Sequence, residues 1–160
     1  MANTVAEPAL DRAKRFDMTF TGGAMGGMTG ATLRGRPMTM RQLAEQGMFW
    51  AIDGVAIPNM EEGDPGEPLL TLKRGSSAIL RWRNDTAFDH PIHLHGHSFH
   101  VVSRNGEPPA QPVIRDTVLI APQQYVDVAF VADNPGDWML HCHILEHQQS
   151  GMMGYIRVEA

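Results

Sequence analysis

Trp138-Met139-Leu140-His141-Cys142-His143-Ile144-Leu145-Glu146-His147 is the stretch on which the reading of this chain turns. Its first half is an apolar, strand-like run. At the end of that run the only cysteine of the 160 residues stands between two histidines, and Met152 follows ten residues after it. A second cluster, His90-Pro91-Ile92-His93-Leu94-His95-Gly96-His97, lies about fifty residues upstream. All eight histidines fall within 90–100 or 141–147. Histidine is not a common core residue, so such crowding calls for a chemical reason.

Strand geometry sorts these residues. Side chains alternate across a strand. If the two segments are neighbouring strands, Cys142 and His90 lie on one side, toward the interior. His93, His95, His141 and His143 converge on the other. Pro91 and Gly96 are the positions at which that register can be disturbed. The pattern therefore predicts two metal sites joined through the backbone at Cys142. On the first side, a tight turn after the strand brings His147 and Met152 back over the sulfur. One thiolate, two imidazoles and a distant thioether are the ligand set of a blue copper centre. The second side offers imidazoles alone, so further ligands must come from elsewhere.

The rest of the chain frames these segments as an antiparallel β-sandwich. Phe16–Phe20, Leu69–Leu72, Ala78–Arg83, a long Ile92–Ser103, Thr117–Ile120, Gln124–Val131, Trp138–His143 and Gly154–Glu159 read as strands. In Ala78–Arg83, Ala78, Leu80 and Trp82 share one face. Val126, Val128 and Phe130 point inward on theirs. Asp53-Gly54 between apolar runs is a hairpin signal. Thr39 and Gln42 form a capping-box pattern for a short helix at 40–46, stopped by Gly47. Thr21–Gly35, rich in Gly and Met, reads as loop, as does the acidic segment Asn59–Pro68. Residues 1–15 read as a tail or linker before one domain at 16–160.

Composition bounds the function. Lys and Arg total 13 against 18 Asp and Glu, a net charge of −5. Mild acidity without a basic stripe argues against a nucleic-acid partner. No apolar run approaches membrane-spanning length. A lone cysteine excludes an internal disulfide. Met1 to Arg15 has no apolar core of the kind a secretory signal needs, so the chain is either cytosolic or a mature or shortened part of something longer.

The two histidine segments resemble the C-terminal ligand motifs of the multicopper oxidases, the family of laccases, bilirubin oxidases and copper-efflux oxidases. His90-Pro91-x-His93-Leu94-His95 and His141-Cys142-His143-x3-His147-x3-Gly151-Met152 stand in the family's order and separation. The resemblance runs over roughly residues 16–160 and includes Phe49-Trp50-Ala51-Ile52-Asp53-Gly54 and Arg115-Asp116-Thr117. It implies a cupredoxin-like Greek-key β-sandwich with a short helix in its N-terminal part. It implies type 1 copper on His90, Cys142, His147 and axial Met152, type 2 copper on His93, and type 3 copper on His95, His141 and His143. It implies an electron path from Cys142 to His141 and His143, a small reductant such as a phenol or Cu(I), and reduction of O2 to water. Export to the periplasm is expected by family analogy. The family completes its cluster with two His-x-His pairs from the first domain. Such pairs are absent outside the two segments here, so a missing N-terminal cupredoxin domain or another chain is expected to supply them.

Competing readings apply to particular residues. Cys142 read as a plain buried thiol leaves its flanking histidines unexplained. His143-x-x-Glu146-His147 matches an inverted zinc-protease motif, but needs a helix across 143–147. Met153 competes with Met152 as the axial residue. His97 and His100 read as surface or supporting histidines. Asp116 and Asp89 read either as partners of a ligand ring or as solvated residues. Met25, Met28, Met38, Met40 and Met48 read either as Cu(I)-capturing thioethers or as core filler. Asn84-Asp85-Thr86 is a glycosylation sequon by pattern, with a strand end as the plainer account. At the level of the whole chain, a stand-alone blue-copper electron carrier or a copper-binding module are the alternatives to an oxidase.

Overall fold

Short alternating runs punctuated by Gly, Pro, Asn and Asp stack here into two β-sheets. The computed structural model describes residues 5–58 and 65–160, so most of the expected loop Asn59–Pro68 lies outside the described residues. The strands are β1 (Lys14–Gly22), β2 (Gly30–Leu33), β3 (Arg36–Thr39), β4 (Trp50–Ile52), β5 (Val55–Ala56), β6 (Leu70–Lys73), β7 (Ser77–Asn84), β8 (His90–Leu94), β9 (Phe99–Arg104), β10 (Ile114–Arg115), β11 (Thr117–Ile120), β12 (Tyr125–Val131), β13 (Gly136–Cys142) and β14 (Met153–Glu159). Two short helices join them, α1 (Met40–Glu45) and α2 (Leu145–Gln149). One sheet has the order β10-β9-β12-β7-β1-β4-β5-β2-β3 and the other β11-β8-β13-β14-β6. No helix among the described residues is long and apolar enough to cross a membrane.

The core lies between the sheets. Leu80, Trp82, Val126, Val128 and Phe130 from the larger sheet form one buried cluster with Ile92, Leu94, Ile120, Leu140 and Ile156 from the smaller. Each such side chain contributes about 1.5–3 kcal/mol on removal from water. On β7, Ala78, Leu80 and Trp82 point into this cluster, and Arg83 on the other parity is exposed. The alternation expected for that strand therefore sets its orientation. Arg81, also on the outer face, makes a two-pronged ion pair with the buried Asp127 at 2.8 and 2.9 Å.

Local signals act where their chemistry is strong. Thr39 caps α1, accepting from the Gln42 backbone N–H while the Gln42 side chain accepts from the Thr39 N–H. Gly47 follows the helix with φ +72°. Asp53 (φ 50°) and Gly54 (φ 72°) turn β4 into β5, as the Asp-Gly pair requires.

Four expectations change. The long strand Ile92–Ser103 is two strands in different sheets. Gly96, at φ +70°, bends the chain out of β8 and hands it to β9. A Cβ at Gly96 would overlap the Trp138 ring, so only glycine fits that corner. The Gly/Met-rich segment is not all loop, because Gly30–Leu33 pairs with Arg36–Thr39 as a hairpin at the sheet edge. The turn after Cys142 contains the helix α2. β1 also starts earlier than Phe16, its Lys14–Phe20 portion lying parallel to β7.

Candidate metal centre

β8 and β13 are antiparallel neighbours, with His141 opposite His93 and Cys142 opposite Ile92. Residues directly opposite one another share a face. Cys142 therefore points with Ile92 into the core, and His90, two residues from Ile92, points the same way. His141 and His93 point outward together. The pleat thus divides two residues adjacent in sequence, His141 and Cys142, between two environments.

On the inner side three donors converge. Cys142 Sγ lies 3.6 Å from His90 Nδ1 and 3.7 Å from His147 Nδ1, and the two nitrogens are 3.1 Å apart. They come from the start of β8, the end of β13 and α2. These three form the one His/Cys/Asp/Glu group among the described residues with metal-binding proximity. A first-row metal about 2.0–2.1 Å from nitrogen and 2.3 Å from sulfur, at angles near 100–120°, sets donor–donor edges of about 3.1–3.8 Å. The observed edges match, and the donors suit copper. Cys142 and His90 are fully buried, and His147 is partly exposed.

The turn carrying His147 closes on itself. The Cys142 N–H donates to the Met152 carbonyl at 3.1 Å, and the Met152 N–H donates to the His147 carbonyl at 2.9 Å. Met152 is buried in the same cluster as Cys142, whereas Met153 packs with Ile57 and Tyr155 in a separate one. Ser150 ties the turn to β4 by accepting from the Phe49 and Trp50 N–H groups at 2.8 and 3.1 Å. The Trp50 ring then lies 4.3 Å from that of His147 and 5.1 Å from that of His90, with Phe88 at 5.6 Å on its edge.

The electrostatics of the pocket's own side chains favour neutral groups. Burial pushes the Cys142 thiol up to about 11, against a backbone hydrogen bond at Ile144 that pulls it down. Burial, followed by repulsion from His147, lowers His90 to about 4. His147 is also lowered, chiefly by burial. Neutral imidazoles keep lone pairs available, and a thiolate here needs a cation beside it.

On the outer face His93, His95, His141 and His143 gather. His95 Nε2 is 2.9 Å from His141 Nε2, and the His93 ring lies 4.6, 5.5 and 5.8 Å from those of His95, His141 and His143. His93 Nδ1 donates to the Asp116 carbonyl at 2.9 Å, with Thr117 Oγ1 at 3.0 Å. His141 Nδ1 donates to the Cys142 carbonyl at 2.9 Å. Carbonyls only accept, so both rings carry hydrogen on Nδ1 and keep their lone pair on Nε2, which in His141 faces His95 Nε2. His95 and His141 are lowered by burial first and by neighbouring imidazoles.

Several single-residue questions resolve here. Asp116 supports His93 through its backbone carbonyl, and its mostly exposed carboxylate stays 4.0 Å away. Asp89 is exposed. His97 is buried beside Phe130 and Trp138, and His100 stands 3.8 Å from Glu7. Neither joins a donor group. His143 and His147 face different sites, and α2 begins only at Leu145, so the zinc-protease arrangement is not formed. Met48 is buried with Leu43 in a satellite apolar cluster, Met28, Met38 and Met40 pack partly buried against it, and Met25 is exposed. Sequence reasoning missed Trp50, which no metal-ligand pattern marks, and the buried Asn84–Thr86 pair beside His90.

With this geometry in place, comparisons with known proteins converge. Residues 34–160 match the multicopper oxidase family. A multicopper oxidase of Mycobacterium tuberculosis, MmcO, is 42% identical over 92 residues, covering 54% of this chain and 18% of that protein. The multicopper oxidase mco of Staphylococcus epidermidis is 44% identical over 130 residues, covering 76% of this chain and 28% of that protein. The crystal structure of a multicopper oxidase from Pseudomonas thermotolerans superposes with TM-score 0.78 at 31% identity, covering 99% of this chain and 32% of that one. One from Campylobacter jejuni, described as a metallo-oxidase, superposes with TM-score 0.73 at 25% identity, covering 100% of this chain and 32% of that one. The chain thus spans less than a third of those two curated relatives and about a third of the two solved chains. It belongs to the multicopper oxidase family, a copper-dependent family, and corresponds to the C-terminal cupredoxin domain of its members.

Proposed function

We propose that His90, Cys142 and His147 hold a type 1 copper with Met152 as axial thioether. His93 contributes to the type 2 copper, and His95, His141 and His143 to the type 3 pair. The observation that supports this most strongly is the buried triangle of one sulfur and two nitrogens with edges of 3.1, 3.6 and 3.7 Å. When bound, copper supplies one-electron redox change and, at the second site, dioxygen chemistry. The chain's own part is to present Nδ1 of His90 and His147 to one pocket and Nε2 of His93, His95 and His141 to the other, with the His143 ring beside them. The sandwich core and the Trp50 ring keep water from the sulfur. The peptide bonds flanking Cys142 join the two sets of donors covalently.

The chain thus serves oxidation of a small reductant, a phenol or Cu(I), coupled to reduction of O2 to water. Four imidazoles supply half of the second site, and another cupredoxin domain or chain supplies the remainder. Of the five clustered methionines, Met48 is buried with Leu43 and Met28, Met38 and Met40 pack partly buried against the same cluster, so core packing accounts for much of their placement. The test is copper reconstitution of the purified chain, followed by metal analysis, absorption and electron spin resonance. One blue copper per chain is expected, with Cys142→Ser losing the colour. Colourless protein whose Cys142 stays open to alkylation overturns the proposal.

A further inference from the structure

Asn84 ends β7, and Thr86 and His90 follow on the way into β8. All three are buried, at 0%, 1% and 0% exposure, so a sugar cannot reach Asn84 in the folded chain. Buried polar groups require partners, and these three partner one another. Both amide hydrogens of Asn84 are committed. Nδ2 donates to the Phe88 carbonyl at 2.7 Å and to the Ile120 carbonyl at 2.9 Å. Reversing the amide would set its oxygen against two carbonyl oxygens, so the orientation is fixed.

Asn84 Oδ1 therefore faces Thr86, accepting from its N–H at 3.0 Å and from its hydroxyl at 2.8 Å. The hydroxyl has one hydrogen. Given instead to His90 Nε2 or to the Phe88 carbonyl, 3.2 Å away, it would leave Thr86 Oγ1 and Asn84 Oδ1 facing each other as two acceptors at 2.8 Å. With that hydrogen on Asn84, Thr86 Oγ1 is left to accept. It accepts from the Phe88 N–H at 3.1 Å and from His90 Nε2 at 2.7 Å. His90 then carries its hydrogen on Nε2, and the lone pair of Nδ1 points at Cys142 Sγ and His147 Nδ1.

We propose that Asn84 and Thr86 are positioning residues that lock His90 in the Nε2–H tautomer and so aim Nδ1 into the cysteine pocket. The proposal rests on the type 1 site described above, and deepens it. Asn84 also fixes the donor to both sheets, because its side chain bridges the end of β7 to Ile120 of β11 and its backbone bonds the 121–124 turn. A ring held this way has its orientation chosen before metal arrives. Loss of such an outer partner lowers metal affinity by roughly 10–100-fold.

The first measurement needs neither a variant nor copper. Nitrogen-15 NMR of the histidine-labelled, metal-free chain is expected to show His90 neutral with hydrogen on Nε2. A resonance of the Nδ1–H form overturns the proposal whatever copper does. The second measurement compares copper affinity and the thiolate-to-copper absorption band in Thr86→Val and Thr86→Ser, with thermal unfolding as the check on folding. Thr86→Val is expected to bind copper roughly 10–100-fold more weakly and to mix the tautomers. Thr86→Ser, which keeps the hydroxyl, is expected to match the wild type in both. Thr86→Val with wild-type affinity and spectrum sinks the positioning role while leaving the copper site standing. A wild type that binds no copper sinks the copper site while leaving the tautomer result to stand alone.

Discussion

Gly151 is where the fold and the candidate site depend most directly on one atom, and Gly151→Ala tests that dependence. The residue lies between His147 and Met152 at φ +114°. A Cβ there would overlap the Trp50 carbonyl oxygen and stand 3.2 Å from Ala56 Cβ. Holding alanine at that φ costs about 1–3 kcal/mol. Relieving the overlap pushes the turn from β4 by roughly 0.5–1 Å, enough to forfeit much of the local van der Waals contact. That movement strains the bonds from Phe49 and Trp50 to the Ser150 carbonyl, each contributing about 0.5–1.5 kcal/mol. The expected loss is about 2–5 kcal/mol, within the 5–15 kcal/mol of a typical domain, so the variant folds but weakly. The same shift exceeds the roughly 0.2 Å tolerance of a metal–ligand distance, so copper affinity should fall as well. Urea denaturation of the metal-free protein and copper titration read the two effects. Gly75→Ala is the control. Gly75 has φ +79° with open space around its Cβ, far from these donors in the fold, so it should cost about 1–2 kcal/mol and leave copper binding alone. A Gly151→Ala protein with the wild-type urea midpoint and copper affinity would refute the reasoning.

Two further outcomes follow from the packing. Asp127 is buried, which alone would raise its pKa, but hydrogen bonds from Arg81 and Ser103 outweigh this and hold it below the usual carboxylate range. Its stabilisation is therefore complete above the unfolded value near 3.9 and is lost as pH falls through the lower folded value. Asp127→Asn should cost about 2 kcal/mol at pH 7, a figure already reduced for the partly exposed guanidinium, and the gap in urea stability should narrow by pH 3. A gap that stays constant with pH argues against the ion pair as its source. Met48→Ser should lose about 2–4 kcal/mol, because it removes a buried side chain beside Leu43. Met25→Ser, at a side chain 91% exposed, should stay within about 0.5 kcal/mol. Equal thermal shifts in the two methionine variants would contradict the satellite core.

What the sequence revealed depended on how local the cause was. The α1 cap and the Asp53-Gly54 turn are settled within four residues, and both stand where the residues indicated. The two-face division at Cys142 needed only the period of a strand and one neighbour, so it too was legible. The break at Gly96 was not, because a glycine in a β-like run also suits a bulge, and only the Trp138 ring across the turn decides between them. β2 and β3 were hidden because Gly30–Leu33 and Arg36–Thr39 are four residues each, too short for a period to stand out within a Gly- and Met-rich segment. Trp50 reached the site through β4, and no spacing in the sequence relates it to His147. Asn84-x-Thr86 matched a familiar surface pattern, and its true surroundings depend on Ile120 and Phe88.

The thiol of Cys142 and the imidazole of His141 before it belong to consecutive residues of one extended strand. Neighbouring Cα atoms in such a strand are about 3.8 Å apart whatever surrounds them. The span between the inner and outer donor groups is thus ruled off by bond lengths, while every wall around them is held by softer forces. Thermal swelling, a void opened in the interior or a repacked loop can reshape either chamber. None of these lengthens the peptide bond that joins the two.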